Sequence, residues 1–155
     1  MINNFTGKHN FLSNFYTVPI SFEGIMFPSV EHAYQAAKSL DEEVRLRIMR
    51  IGSAGQAKRA GKKVILRPNW ESLKLDIMLE LLRRKFYFKD MQQMLLDTGE
   101  DEIVEENYWK DTFWGTCNGV GENHLGKLLM KIRQELRNGQ QLHAPYGPQN
   151  TMSKL

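Results

Sequence analysis

Two stretches of this chain repeat apolar residues at the helical period, and they limit what it can fold into. Leu75, Met78, Leu79, Leu82 and Phe86 fall at i, i+3, i+4, i+7 and i+11 in a segment from about Trp70 to Phe88. Leu125, Leu128, Leu129, Ile132 and Leu136 repeat the pattern from about Asn123 to Arg137, with Lys127, Lys131 and Arg137 off the stripe. A stripe of that width must be buried against another element, so both segments read as core-facing helices. Pro68 discourages a helix running in from upstream, and Asn69 is a good cap for the first of them.

The remaining signals are short. Val18, Ile20 and Phe22 alternate with Pro19 and Ser21 before Glu23-Gly24 and Ile25-Met26-Phe27, which predicts a hairpin. Pro19 argues against a central strand. Ser29 can cap a helix carrying Ala33, Ala36, Ala37 and Leu40, and Asp41 begins another to about Arg50. Ser53 and Gln56 match a capping box, with Gly61 as its stop. A short helix is expected from Met91 to Thr98, ended by Gly99, with a candidate strand at Ile103-Val104. Helices dominate, so the expected fold is α+β and mainly helical, with a few short strands and an N-terminal hairpin. One compact domain is expected over residues 1–138, followed by a loosely ordered or docked tail over 139–155.

Composition narrows the function classes. The 155 residues are 41% apolar and 25% charged, which argues against wholesale disorder. Lys and Arg number 21 against 18 Asp and Glu, a net charge of +3 that permits a phosphate-bearing ligand without demanding nucleic acid. The single cysteine, Cys117, excludes an internal disulfide framework and a cysteine-based zinc cage. No apolar run is long enough to span a membrane, and the N-terminus lacks an export pattern, so a cytoplasmic protein is expected. Ser153-Lys154-Leu155 matches a peroxisomal address, a three-residue coincidence unless the source has peroxisomes.

Three constellations can carry chemistry. Glu31 sits in the first turn of its helix, where the dipole favours a carboxylate. Lys38 follows two turns later, roughly 10 Å along the axis on the same face, with Tyr34 and Gln35 between. That face can line a polar cleft, and an ordinary solvated helix face would show the same pattern. The second is Asp111-Thr112-Phe113-Trp114-Gly115 followed by Asn118-Gly119-Val120-Gly121-Glu122-Asn123. Its glycines precede a helix whose free amides would suit a phosphate, although a turn-rich loop explains them equally. Trp70, Tyr108, Trp109, Phe113 and Trp114 form the third, as rings able to stack on a nucleobase or to cap a small core. His9, His32, His124 and His143 show no metal-ligand spacing, and Cys117 reads as a small apolar group rather than a nucleophile.

Together these residues resemble the NADAR superfamily, named for NAD and ADP-ribose. The similarity runs through Phe11-Leu12-Ser13-Asn14-Phe15-Tyr16 and Phe27-Pro28-Ser29-Val30-Glu31-His32-Ala33-Tyr34-Gln35-Ala36-Ala37-Lys38. It continues through Ala57-Lys58-Arg59-Ala60-Gly61, Asn69-Trp70-Glu71, Lys85-Phe86 and Phe113-Trp114-Gly115. Gly121-Glu122-Asn123-His124-Leu125-Gly126-Lys127-Leu128-Leu129-Met130 completes it. Asp111 looks like the family's acid before Trp-Gly, although Lys110 and Thr112 make its flanks individual.

The resemblance implies hydrolysis of an N-glycosidic bond to a ribose phosphate. Either of two substrates is expected: phosphoribosylamino-pyrimidine intermediates of riboflavin synthesis, or ADP-ribose on modified guanine, with ADP-ribosylated nucleic acid as a partner in the second case. No cofactor, metal or membrane is implied. Glu31 is expected as the principal acid/base, Asp111 as a second acid, and Lys38 as a phosphate ligand, a stabiliser of Glu31 or a Schiff-base amine. Asn14, Tyr34, Trp70, Trp114, Gly115 and Asn123 are expected substrate contacts. A non-catalytic reader of ADP-ribose or NAD is the alternative from another class, and a small interaction domain is the third.

Overall fold

The computed structural model describes residues 1–142; of the tail expected over 139–155, the part from 143 onward, with its terminal tripeptide, lies outside the described residues. Backbone contacts group the chain into two units. The first comprises Met1–Ser13 and the chain from Phe86 to Leu142; the second contains Asn14–Lys85. The architecture is α+β and mainly helical, as the stripes require.

The second unit opens with the expected hairpin, β1 (Thr17–Phe22) and β2 (Ile25–Ser29), paired antiparallel. Glu23 and Gly24 both take positive φ at the turn, and the register shifts between Thr17 and Ile20. Pro19 lies within that irregularity, where its missing amide costs no regular ladder bond. The strand leads directly into α1 (Val30–Ala37), followed by α2 (Glu42–Met49), α3 (Ala54–Gly61) and α4 (Trp70–Lys85). Asp41 and Ser53 cap α2 and α3 through side-chain oxygens, as their sequence positions predict. Helix α1 packs against both strands and all three other helices of its unit. Every one of its residues is buried.

That burial corrects the solvated-face reading of the Glu31 segment. A helix surrounded on every side has no solvated face, so its polar side chains must find partners inside. Ser29 begins the solution. Its Oγ accepts the His32 amide at 3.1 Å and lies 2.7 Å from His32 Nδ1. His32 Nε2 is 2.9 Å from the Ile51 carbonyl. A carbonyl only accepts, so in the neutral ring Nε2 carries the proton and Nδ1 receives the Ser29 hydroxyl.

Helix α4 ends at Lys85 rather than near Phe88, and its burial is broader than a stripe. Ile77, Met78, Leu81 and Leu82 are buried, and so are Glu80, Arg84 and Lys85. Glu80 and Arg84 pair at 3.1 Å one turn apart, which permits their burial. Gly61 is the last residue of α3 rather than a left-handed stop beyond it; Lys62 caps that helix.

The first unit holds a 3-10 helix (Gly7–Leu12), which the sequence patterns leave unmarked, together with α5 (Lys89–Leu96) and α6 (His124–Arg137). Helix α5 packs against both. Arg133 of α6 donates to Thr98 Oγ1 at 2.7 Å, just beyond α5. The expected strand at Ile103-Val104 reduces to an isolated bridge between Ile2 and Ile103. The long stretch between α5 and α6 is instead held by side chains, described below.

Ser29→Ala should lower the unfolding free energy by about 1–2 kcal/mol, since it removes the cap and the His32 contact together. Urea denaturation measures this, and a variant as stable as the parent would show that the cap contributes nothing.

Candidate functional site

Helix α1 begins where two backbone segments meet. The Glu31 amide donates to the Asn14 carbonyl at 3.0 Å, which ties the loop before β1 to the helix start. Asn14 Nδ2 reaches the Met78 sulfur at 3.6 Å, while Asn14 Oδ1 is buried with no hydrogen-bond partner among the described residues. Glu31 is 7% exposed, and its Oε1 accepts from Gln35 Nε2 at 2.8 Å. A buried carboxylate is thus held within a turn of the helix N-terminus, where the dipole favours its charge.

The Lys38 ammonium lies over the Tyr34 ring, 5.7 Å from its centroid, and Tyr34 packs on Trp70 at 5.3 Å. Desolvation holds the Lys38 amine below its ordinary pKa, and the charge of Glu31 partly opposes that shift. Lys38 also ends α1, with its carbonyl accepting the Arg67 amide at 2.7 Å. Asn14, Glu31, Tyr34, Lys38 and Trp70 therefore gather in one unit, around the two ends of one buried helix. Tyr34 and Trp70 are themselves buried, so their visible work is to pack on each other and carry the lysine.

Asp111, Trp114, Gly115 and Asn123 belong to the other unit and form a network there. Asp111 Oδ1 accepts the amides of Phe113 and Trp114 at 3.1 and 2.9 Å. Asn107 clasps Asp111 through both ends of its amide, donating to the carbonyl at 2.8 Å and accepting from the N–H at 3.0 Å. Tyr108 and Trp109 project from the loop between them, 88% and 46% exposed. Gly115 is buried, and a side chain there would overlap Glu105.

Asn123 stands at φ 52°, and its side chain bridges the Glu105 amide (2.9 Å) and the Ile103 carbonyl (3.0 Å). The amides of Asn123, His124 and Leu125 donate to the carbonyls of Gly115, Phe113 and Trp114 at 3.2, 3.1 and 2.9 Å. The His124 and Leu125 amides at this helix end are therefore already taken by the chain's own carbonyls, against the expectation of free amides there. A cavity of about 530 Å³ beside Asn123 has three carboxylates in its wall, Glu102, Glu106 and Glu122, against one basic side chain, Lys127, and Met1. A wall of that sign repels phosphate. The Thr116 hydroxyl, aided by amides of Gly119 and Asn118, holds Glu106 below the usual carboxylate range.

Lys85 was legible only as a basic residue of unknown direction. It is fully buried, over the Tyr16 ring at 5.7 Å, and burial lowers its pKa to about 7. Among the described residues no three His, Cys, Asp or Glu side chains gather as metal ligands, and no helix is long and apolar enough to cross a membrane.

The NADAR domain model matches residues 3–137, and the chain belongs to the NADAR family. It is 41% identical over 128 residues to the N-glycosidase YbiA of Escherichia coli, covering 80% of this chain and 79% of that one. The NMR structure of E. coli YbiA superimposes with a TM-score of 0.78 at 37% identity, covering 89% of this chain and 84% of that one. A riboflavin biosynthesis protein of Vibrio vulnificus is 38% identical over 143 residues. That match takes in 90% of this chain, which spans only 38% of the Vibrio protein. The enzyme class shared with relatives of similar length is N-glycosidase.

The pH dependence of stability should expose Lys85. Its lowered pKa means the unfolded chain binds the extra proton between about pH 7 and 10.5, so stability rises with pH across that window. The penalty is fully present below about pH 7 and is on the order of 5 kcal/mol. Against Lys85→Met, the parent should gain stability from pH 7 to 10 in urea titrations. Parallel curves for the two proteins would contradict a neutral buried amine.

Proposed function

We propose that this N-glycosidase cleaves the bond between a base-like nitrogen and C1′ of a ribose phosphate, with Glu31 as the acid/base carboxylate. The observation that carries this reading is a buried carboxylate oriented by Gln35, on the same buried helix as a partly desolvated lysine. As the C1′–N bond breaks, its electron pair leaves with the nitrogen and positive charge grows on the ribose ring. A nearby carboxylate stabilises that charge and takes a proton from the attacking water, whose oxygen bonds to C1′. The Glu31 carboxyl, protonated in that step, then returns the proton to the leaving nitrogen and is regenerated as the carboxylate. The unpartnered acceptor on Asn14, in the same unit as Glu31, suits a ribose hydroxyl.

Two substrate classes fit this chemistry. Phosphoribosylamino-pyrimidines agree with the name of the Vibrio relative. ADP-ribosyl-guanine offers the same ribose–nitrogen bond and would bring nucleic acid as a partner. Lys38 is suited to a substrate phosphate when protonated. Its lowered pKa also favours the neutral amine, which can condense with a ring-opened sugar, releasing water and forming an imine.

Glu31→Gln, assayed for free-base release from both substrates, should lose at least 100-fold in kcat while remaining folded. Near-parental turnover by that variant would reject Glu31 as the central group. Borohydride present during turnover should trap a covalent adduct absent from Lys38→Met if the lysine forms an imine. No adduct, with trapping verified on a control enzyme, would leave Lys38 as a phosphate ligand.

A further inference from the structure

Gln35 is buried, 4% exposed, and only half satisfied. Its Nε2 donates to Glu31 Oε1, but its Oε1 is buried with no hydrogen-bond partner among the described residues. That oxygen lies against Gly61 of α3, where any Cβ on residue 61 would overlap the Gln35 amide. Leaving a buried carbonyl oxygen unpaired is destabilising, and an apolar side chain of similar volume would avoid that cost. Stability alone therefore does not account for a glutamine here.

The chemistry of Glu31 does. An ionised carboxylate only accepts, so Gln35 must turn its NH2 toward it, and the oxygen is then forced toward α3. The flipped amide would put two acceptors together. Gly61 lies in a helix with no positive φ, so backbone freedom does not explain it, and alanine would otherwise be the better helix former. Its missing side chain is the space the amide fills.

We propose that Gln35 is a positioning residue that aims the Glu31 carboxylate, and that Gly61 is glycine to leave it room. This rests on the reading of Glu31 given above. The pair explains one glycine and one unpaired amide oxygen with a single geometry. It also sets the cost of an aimed carboxylate on a neighbour rather than on the reacting group.

Gln35→Met keeps the volume and removes both the donor and the unpaired oxygen. It should melt at or above the parental temperature, while kcat on phosphoribosylamino-pyrimidine or ADP-ribosyl-guanine falls roughly 10- to 100-fold with KM changed by less than about threefold. Gly61→Ala should produce the same kcat loss by pushing the amide aside, and should add no further loss in a Gln35→Ala background. A Gln35→Met variant that is several degrees less stable, or that is folded with parental kcat, would overturn the proposal. So would equal, additive losses from Gly61→Ala in both backgrounds. Glu31→Gln run in parallel separates the two failures: an inactive Glu31→Gln beside a fully active Gln35→Met sinks this inference alone, whereas an active Glu31→Gln sinks the reading beneath it.

Discussion

Everything in the second unit depends on burying one polar helix. Helix α1 touches each other element of its unit and every one of its residues is buried, yet it carries Glu, His, Gln and Tyr side chains. A buried charge or amide must be paired where it lies. The pairing is local and economical: Ser29 takes the His32 amide and faces its ring, Ile51 takes the far side of that ring, and Gln35 takes Glu31. The alanines at 33, 36 and 37 let neighbouring helices approach, which is why the helix can be enclosed at all. The lysine at its end sits at the margin of that enclosure, near aromatic rings, where desolvation and the Glu31 charge act against each other.

The first unit solves a different problem. The chain between α5 and α6 has only isolated backbone bridges, and side chains that imitate a ladder supplement them. Asn107 clasps Asp111, Asp111 clasps the next turn, and Asn123 bridges Ile103 and Glu105. Close approach follows: Gly115 and Gly126 each lie where a Cβ would strike backbone or the Asn side chains. Of the glycines that suggested a phosphate loop, Gly115 and Gly121 allow close approach to backbone and Gly119 supplies a positive φ, while the His124 and Leu125 amides behind them are already bonded.

The long stripes, the hairpin and the caps at Ser29, Asp41 and Ser53 were legible in residue order, because period and capping are local properties. So was the association of Glu31, Tyr34 and Lys38, which needs only helix geometry. The enclosure of that helix was not legible, since its polar residues read equally well as a solvated face. The end of α4 was overestimated because Phe86 continues the apolar period after the backbone leaves the helix. The role of Gly61 was misread for a related reason: its neighbour in space, Gln35, is on another helix.

The sequence by itself determined the family, the mainly helical class and the set of groups able to do N-glycosidase chemistry. It did so because ordered motifs and helical periods survive in a one-dimensional string. Only the tertiary structure decided which of those groups are buried, which amides remain open and which glycines are spaces for other side chains. Burial and close approach are properties of pairs distant along the chain. They turn Glu31 from an acid on a helix into a carboxylate held in one direction.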